Sequence, residues 1–418
     1  MSRSPLIALA LVALGGCFEP KPFDPDPNPD ARQQGGPATV TIRSYSWRTI
    51  GEVVLEAPVL VHDRSGALVQ RTTSGVGSVT VSVPDGGSVT VIERISDVTT
   101  YVGVEDGDTI VVGSGGTVAS DRVATVQLPA APAGTDRYEI HGRCVIGSGP
   151  DRMAVPITIR GLCGVGPRDM LAIAEENGTQ RNYLFQAGVN LVPDTANALT
   201  GSWLPVPNFT VSIGGLASAQ NSTVTLGIRN RGRLVWGTGR IMPPPVGGTS
   251  TQTLRLPDAG DESYLGYATN SPDGSAQSYY QMQARATAYS ANLTEHPLHR
   301  PRQLAANRVR VSWRVETRTL APDGVFVSVQ AMNGANFGAI WRFILPGAST
   351  EAAIPTLPSD LASIWQPTSI RASVNFEELS NSDAAAFRRD INSAIGAFSN
   401  SPAPVTYQTT SLSGTFSP

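Results

Sequence analysis

Runs in which apolar and polar residues alternate recur along most of the chain, the period expected of strands with one buried face. Val40 and Ile42 alternate with Thr41 and Arg43, Val79, Val81 and Val83 alternate with polar residues, and Val89 and Val91 repeat the pattern. Asp63-Arg64-Ser65-Gly66 and Pro84-Asp85-Gly86-Gly87 supply the turns between them, because Gly accepts positive φ and Pro and Asp initiate turns. Farther along, strands are predicted at Tyr138 to Ile146, Pro156 to Cys163, Met170 to Ala174, Asn182 to Gln186, Phe209 to Ile213, Ser222 to Ile228 and Thr251 to Leu256. Asn177-Gly178 is a two-residue hairpin turn. The alternation resumes at Val309, Val311 and Trp313, and at Val325, Val327 and Val329 after Pro322-Asp323-Gly324. Ile340 to Leu345 runs to Pro346-Gly347, and Tyr407 to Phe416 is the closing strand. One segment has the helical period instead: Ser382 can cap it, Phe387, Ile391, Ile395 and Phe398 share a face, and Asn400 and Pro402 stop it. Arg388 and Arg389 are offset by Asp390, so its polar face lacks a basic stripe and its apolar face is expected to lie on a sheet as core.

A chain of 418 residues exceeds one ordinary core. The pattern predicts a mainly β protein of tandem antiparallel β-sandwich-like domains with one short helix near the C-terminus. The modules span 38–129, 137–257 and 261–418, the last containing the helix. Composition agrees: 42 Gly, 32 Pro and only 16% charged residues suit many short strands joined by tight turns.

The N-terminus differs. Arg3 precedes a short apolar run, Leu6 to Leu14, which ends in Leu14-Gly15-Gly16-Cys17, the arrangement of a secretory signal over 1–16. The run is too short to remain as a membrane-spanning helix. Leu14-Gly15-Gly16-Cys17 resembles the lipobox of bacterial lipoproteins. The resemblance implies cleavage before Cys17 and attachment of lipid to that cysteine, with Phe18, where Asp would favour inner-membrane retention, pointing to the outer membrane. From 17 to 37 the chain is Pro-rich, and its alternating prolines favour extended polyproline II, a tether of roughly 25–60 Å. Asp24, Asp26, Asn28 and Asp30 lack the glycine turn and distal glutamate of a calcium loop.

Within the first module, Asp63, Gly66, Thr72, Gly75, Gly77, Pro84 and Gly86 follow the turn rhythm of the carboxypeptidase regulatory-like or transthyretin-like sandwich, and the stretch Val59 to Glu93 resembles that family. Val79 stands where the family carries an aromatic. The resemblance implies a structural or adhesive unit and transfers no catalytic residue. The whole chain resembles uncharacterised lipoproteins of high-GC Gram-negative bacteria, in which a lipobox and Pro-rich tether precede β-domains.

A formal charge of -3 provides no basic field for nucleic acid. Lys21 is the only lysine, so no lysine of the folded body can form a Schiff base or hold a phosphate. With Cys17 assigned to lipid, Cys144 and Cys163 are expected to pair as a disulfide in an oxidising envelope, stabilising that module by about 3 kcal/mol. Among the histidines His62, His141, His296 and His299, the last two form His-x-x-His beside Glu295 between prolines, which is not the helical spacing of a zinc site. Ser114 and Ser148 sit in Gly-Ser-Gly turns without the strand-to-helix elbow of a hydrolase. Catalytic residues, metal ligands and cofactors are therefore expected to be absent. The expected role is that of a lipid-anchored envelope protein with a structural or interaction function, held to the outer membrane, facing the periplasm or the cell surface, with an envelope protein or glycan as partner. Two alternatives have tests. A glycan- or polymer-binding sandwich needs an exposed row drawn from Trp203, Trp236, Trp341, Trp365, Tyr279 and Tyr280. An envelope hydrolase needs a cleft where Asp, Glu or His converge.

Overall fold

The computed structural model describes residues 36–46, 51–52, 57–74, 78–94, 96–113, 121–142, 144–160, 167–216, 221–230, 233–271, 273–284, 286–292, 294, 297–333, 336–379 and 406–417. Among them the chain is β throughout, with one 3-10 turn at Ala362–Ile364. The helix expected between Ser382 and Asn400 lies outside the described residues.

The largest element is a 12-stranded sheet. Its order is β19 (Arg233–Ile241), β18 (Asn221–Asn230), β21 (Glu262–Asn270), β22 (Ser275–Ala284), β30 (Thr406–Phe416), β29 (Ser369–Leu379), β26 (Gly324–Asn333), β27 (Asn336–Pro346), β7 (Asp97–Val102), β6 (Ser88–Arg94), β3 (Pro58–His62) and β4 (Leu68–Thr73). Every neighbouring pair is antiparallel except β27 and β7, whose parallel register sets Trp341 beside Val98 and Phe343 beside Thr100. That joint welds an early segment of the chain to a late one.

Around the joint the sheet is covered on both faces. On one side, Val59, Val61, Val89, Val91, Tyr101 and Ile344 meet a small sheet ordered β2 (Gly51–Glu52), β1 (Ala38–Ser46), β5 (Ser78–Val83), with β8 (Thr109–Gly113) parallel to β1. That small sheet contributes Val40, Ile42, Val81, Val83, Ile110 and Val112. On the other side, Leu60, Ile92, Val98, Trp341, Phe343 and Phe376 meet Val311, Trp313 and Ala352 from β24 (Arg300–Ala306), β25 (Arg310–Glu316) and β28 (Glu351–Ala353). A strand buried on both faces needs a continuous apolar run, which Val59-Leu60-Val61 and Phe343-Ile344-Leu345 provide.

Farther along the same sheet, Val224, Leu226, Ile228, Trp236, Leu265 and Tyr267 are covered by a sheet ordered β20 (Ser250–Arg255), β17 (Asn208–Gly214), β23 (Ala288–Asn292), which adds Phe209, Val211, Ile213 and Leu254. Pairing thus crosses the boundary expected between 257 and 261, since β18 pairs with β21 and β17 with β23. It also crosses the boundary expected after 129, because β9 (Arg122–Gln127) pairs with β12 (Val155–Ile159).

The remaining sheet is ordered β15 (Ala196–Ala198), β9, β12, β11 (Val145–Gly149), β10 (Arg137–Gly142), β13 (Pro167–Glu176), β14 (Thr179–Asn190), β16 (Leu204–Pro205). β15 and β16 are consecutive in the chain yet pair with opposite edges, so the segment 196–205 bridges the two edges, without ladder pairing between β15 and β16, and closes off a core of Val126, Tyr138, Ile140, Ile157, Met170 and Leu199. Asn197 fixes the seal: its buried amide accepts from the Val192 N–H at 2.8 Å and donates to the Val192 carbonyl at 3.0 Å. Asn177 and Gly178 form the expected hairpin turn between β13 and β14, with φ of 51° and 70°.

One expected strand is divided. Tyr138 to Ile146 is a hairpin, β10 and β11, turning at Cys144, whose φ is 60°. The inward alternation Tyr138, Ile140 slips phase to Val145, leaving Ile146 half exposed. A phase slip of one residue is what a tight turn between two strands produces.

Candidate functional site

The outward face of the β10–β11 hairpin carries a polar grouping beside a cavity. Alternation sends Tyr138 and Ile140 into the core of their sheet and leaves Arg137, Glu139 and His141 outside, about 7 Å apart in succession. Across the hairpin, Glu139 stands opposite Ser148 and His141 opposite Ile146. The next strand adds Pro156 and Thr158, and β9 adds Val123. These residues line a groove of about 490 Å³. That volume lies within the range of small-ligand sites.

Two polar pairs organise the groove. His141 Nε2 lies 3.2 Å from Glu139 Oε2, and the Arg137 guanidinium donates to Ser148 Oγ at 3.0 Å. The hydrogen bond from His141 is the chief cause that holds the Glu139 carboxyl below its usual range. Glu175 is raised, first by burial and then by the nearby Glu139 charge, with Arg137 Nε 4.0 Å away. Trp236 of β19 meets the His141 ring edge-on, with centroids 6.3 Å apart, so the imidazole is packed on its flank. The floor is apolar: Val123 is 62% exposed and Ile146 is 50% exposed. The arrangement offers paired donors and acceptors beside an aliphatic platform.

No known family profile and no curated protein matches the chain. Among solved structures it is similar to the Bacillus anthracis TIE protein, with 13% identity, 62% of this chain and 50% of that one covered, and a TM-score of 0.16. It is also similar to the chicken CNTN1 FN1-FN3 domains, with 11% identity, 58% and 84% covered, and a TM-score of 0.14. The tetra-tandem repeat in the extending region of a large adhesion protein overlaps at 11% identity, with 81% and 95% covered and a TM-score of 0.14. The chain spans half the length of the TIE protein. No family membership follows. Overlaps this slight carry no argument about function, which rests on the residues themselves.

The residues singled out by the sequence are placed as follows. Cys17, Cys163, Glu295, His296 and Ser114 lie outside the described residues. Cys144 sits in the β10–β11 turn, where its carbonyl accepts from the Arg160 N–H at 2.8 Å, and there is no free cysteine among the described residues. His62 is fully buried, and burial lowers its pKa. His299 accepts from the Arg318 N–H at Nδ1, 3.1 Å away, while its carbonyl takes a hydrogen bond from Thr410. The three described histidines are thus separated, and among the described residues no group of three or more His, Cys, Asp or Glu side chains could hold a metal. Among the described residues, His141 is the histidine with a carboxylate partner within hydrogen-bond distance.

The aromatic candidates are packed away. Trp236, Trp341 and Tyr280 are buried; Trp203 packs on its sheet's core beside Tyr138, and Trp365 meets Trp341 edge-on while its Nε1 donates to the Arg308 carbonyl at 3.0 Å. Tyr279 stacks on Tyr267 with centroids 5.7 Å apart. Among the described residues these side chains form no exposed row. Arg137, Glu139 and Ser148 were not singled out together from the sequence. The usable signal was a strand whose inward positions are apolar and whose successive outward positions, Arg137, Glu139 and His141, are all ionisable.

Proposed function

We propose that this protein is a lipid-anchored component of the bacterial cell envelope with a structural or interaction role and no catalysis. Cys17 carries the lipid, the Pro-rich segment to residue 37 is the spacer, and the β-body projects from the outer membrane toward an envelope partner. The observation that carries this is the direct passage from lipobox-like signal and tether into β1 at Ala38, with the adjoining Gly36 and Pro37 exposed. Stacked sheets joined by one shared sheet favour a fixed spacing or display surface over a hinged machine. No helix among the described residues is long and apolar enough to cross a membrane.

A disulfide between Cys144 and Cys163 belongs to the same proposal. Pairing of Val145 with Ile159 brings Cys144 to the end of β12 from which the chain runs on toward Cys163. Replacing Cys17 with Ala is expected to release the protein from membranes into the soluble envelope fraction, and retention in the membrane would overturn the anchoring. Mass spectrometry of unreduced peptides is expected to recover Cys144 linked to Cys163; alkylation of both as thiols would overturn the pairing.

A further inference from the structure

We propose that the arginine cluster where β24 and β25 meet β22 binds a terminal phosphate group, as on a phosphate monoester, with Arg300, Arg302 and Arg318 around it. The inference goes beyond the anchoring reading and does not depend on it.

Alternation puts Arg300 and Arg302 on one face of β24, and the antiparallel register sets Glu316 opposite Arg300 and the exposed Arg314 opposite Arg302. Arg318 follows two residues after Glu316 and turns back to the same carboxylate. Both oxygens of Glu316 are taken. Oε2 accepts from Arg302 Nη2 at 2.6 Å and Nε at 2.7 Å, and Oε1 accepts from Arg318 Nη2 at 2.8 Å and Nε at 3.0 Å. Asp273 lies 3.8 Å from Arg302 Nη1. Four guanidinium groups therefore face two carboxylates, a local excess of two positive charges in a chain whose formal net charge is -3.

Arg300 carries that excess. Although it stands opposite Glu316, its guanidinium donates to Gln277 Oε1, a neutral acceptor, and its buried Nε has no hydrogen-bond partner among the described residues. Burial first and then the Arg318 charge lower its pKa, with Arg302 adding to the fall and Glu316 opposing it. Arg302 also faces Arg314 directly, and like charges opposed across a ladder repel. An anion seated among these side chains relieves both repulsions. The Arg302 and Arg318 side chains are 39% and 22% exposed, so the cluster opens to solvent.

The charge and the donor geometry select the ligand. Guanidinium forks match oxyanions, and a phosphate monoester presents three acceptor oxygens with close to two negative charges at neutral pH. One such group balances the excess of two and offers an oxygen to each of the three arginines. A carboxylate has two oxygens and one charge; Glu316 already shows the result, since it serves Arg302 and Arg318 and leaves Arg300 over. Glu316 also fixes the orientation of its two arginines, which reduces the ordering cost of binding.

The test uses the mature full-length chain in detergent at pH 7.5 and constant ionic strength, titrated by calorimetry with inorganic phosphate and, separately, with dihexanoyl phosphatidic acid, a lipid whose head group is a phosphate monoester. Saturable binding of at least one is expected. Tighter binding of phosphatidic acid assigns the site to a lipid head group, and tighter binding of inorganic phosphate assigns it to a soluble phosphate. Arg300→Gln is expected to weaken binding about tenfold, equivalent to about 1.4 kcal/mol. Arg302→Gln, at a partly exposed position, is expected to act alike and serves as the measurement if Arg300→Gln lowers the unfolding midpoint. Arg310→Gln removes an arginine that pairs with Glu351 about 20 Å away along β25, and is expected to leave binding unchanged. Absence of saturable binding with both ligands, equal losses in all three variants, or no loss in the first two would overturn the assignment. Membrane retention through Cys17 is measured separately, so failure here leaves the anchoring reading standing.

Discussion

The indole Nε1 of Trp341 donates to Thr100 Oγ1 at 2.9 Å, joining residues 241 positions apart in the chain. Thr100 Oγ1 lies 2.8 Å from Thr90 Oγ1, so three buried polar groups are linked at the centre of the double-covered sheet. The link spans β6, β7 and β27. It satisfies an indole N–H that no water reaches, on the strands that join the early and late parts of the chain.

Thr100→Val leaves the Trp341 N–H and the Thr90 hydroxyl without this partner while preserving shape. The expected cost is about 1–3 kcal/mol. Chemical denaturation followed by tryptophan fluorescence checks it. A variant as stable as the parent would mean that the linkage contributes nothing net.

His62 is fully buried at the end of β3, neither ring nitrogen makes a well-formed hydrogen bond, and burial lowers its pKa despite the Gly66 backbone and the Asp63 charge, which favour the proton. The unfolded chain therefore binds the proton more readily, and stability should fall as pH drops below about 6.5, the ordinary value. His62→Leu is expected to flatten this part of the profile between pH 7.5 and 5. Unfolding midpoints at each pH measure the difference.

Glu377 acts in the opposite direction. Burial pushes its carboxyl up to about 7, and a hydrogen bond from Tyr407 only partly offsets that. A raised acid is most compatible with the fold below the unfolded pKa of 4.5 and loses stability as pH rises through about 7. Glu377→Gln keeps an acceptor for Tyr407 and removes the buried charge. It is expected to raise stability at pH 8 by roughly 1–3 kcal/mol and to change little at pH 4. Thermal melts at the two pH values distinguish this from a uniform effect.

Asn197→Ala removes the amide that ties residues 192–197 against β9, where Nδ2 also lies 3.4 Å from the Thr125 carbonyl. The expected cost is about 1–3 kcal/mol. Amide hydrogen exchange should rise first in β15 and β9. Uniform exchange across the sheet would argue against a local seal.

Gly260 has φ of 79°, and a Cβ there would stand 2.1 Å from the Arg229 carbonyl oxygen, a backbone atom that cannot rotate away. The segment around it carries the chain from β20 into β21, past the buried Arg229, which pairs with Glu262 at 2.8 Å. Gly260→Ala is expected to lower stability by more than about 1 kcal/mol, combining backbone strain with the clash. Thermal unfolding of the variant is the check.

Much of the candidate groove was written locally. Arg137, Glu139 and His141 share a face because side chains alternate along a strand, whatever that strand pairs with. Ser148 was harder to place, since it depends on the hairpin turning at Cys144, a residue whose type does not announce positive φ. Val123 and Pro156 could not be placed from local pattern, because β9 and β12 reach the groove through pairing between distant segments.

The sequence by itself determined which face of many strands is apolar: Val40 and Ile42, Val311 and Trp313, and Val325, Val327 and Val329 are buried as their alternation requires, whereas Val309, expected in the same alternation, precedes β25 and is exposed, and the strand expected from Tyr138 to Ile146 is two. It determined turns too, as at Asn177-Gly178, where positive φ selects the residue type. Only the tertiary structure decided partners. A period of two assigns a residue to a face and says nothing of which strand lies alongside, so the parallel joint of β7 with β27 and the shared sheet that crosses the expected module boundaries had no local signature. Burying both faces of the central strands takes Leu60, Trp341, Phe343 and Ile344 out of water, and that apolar burial is the physical drive toward those contacts.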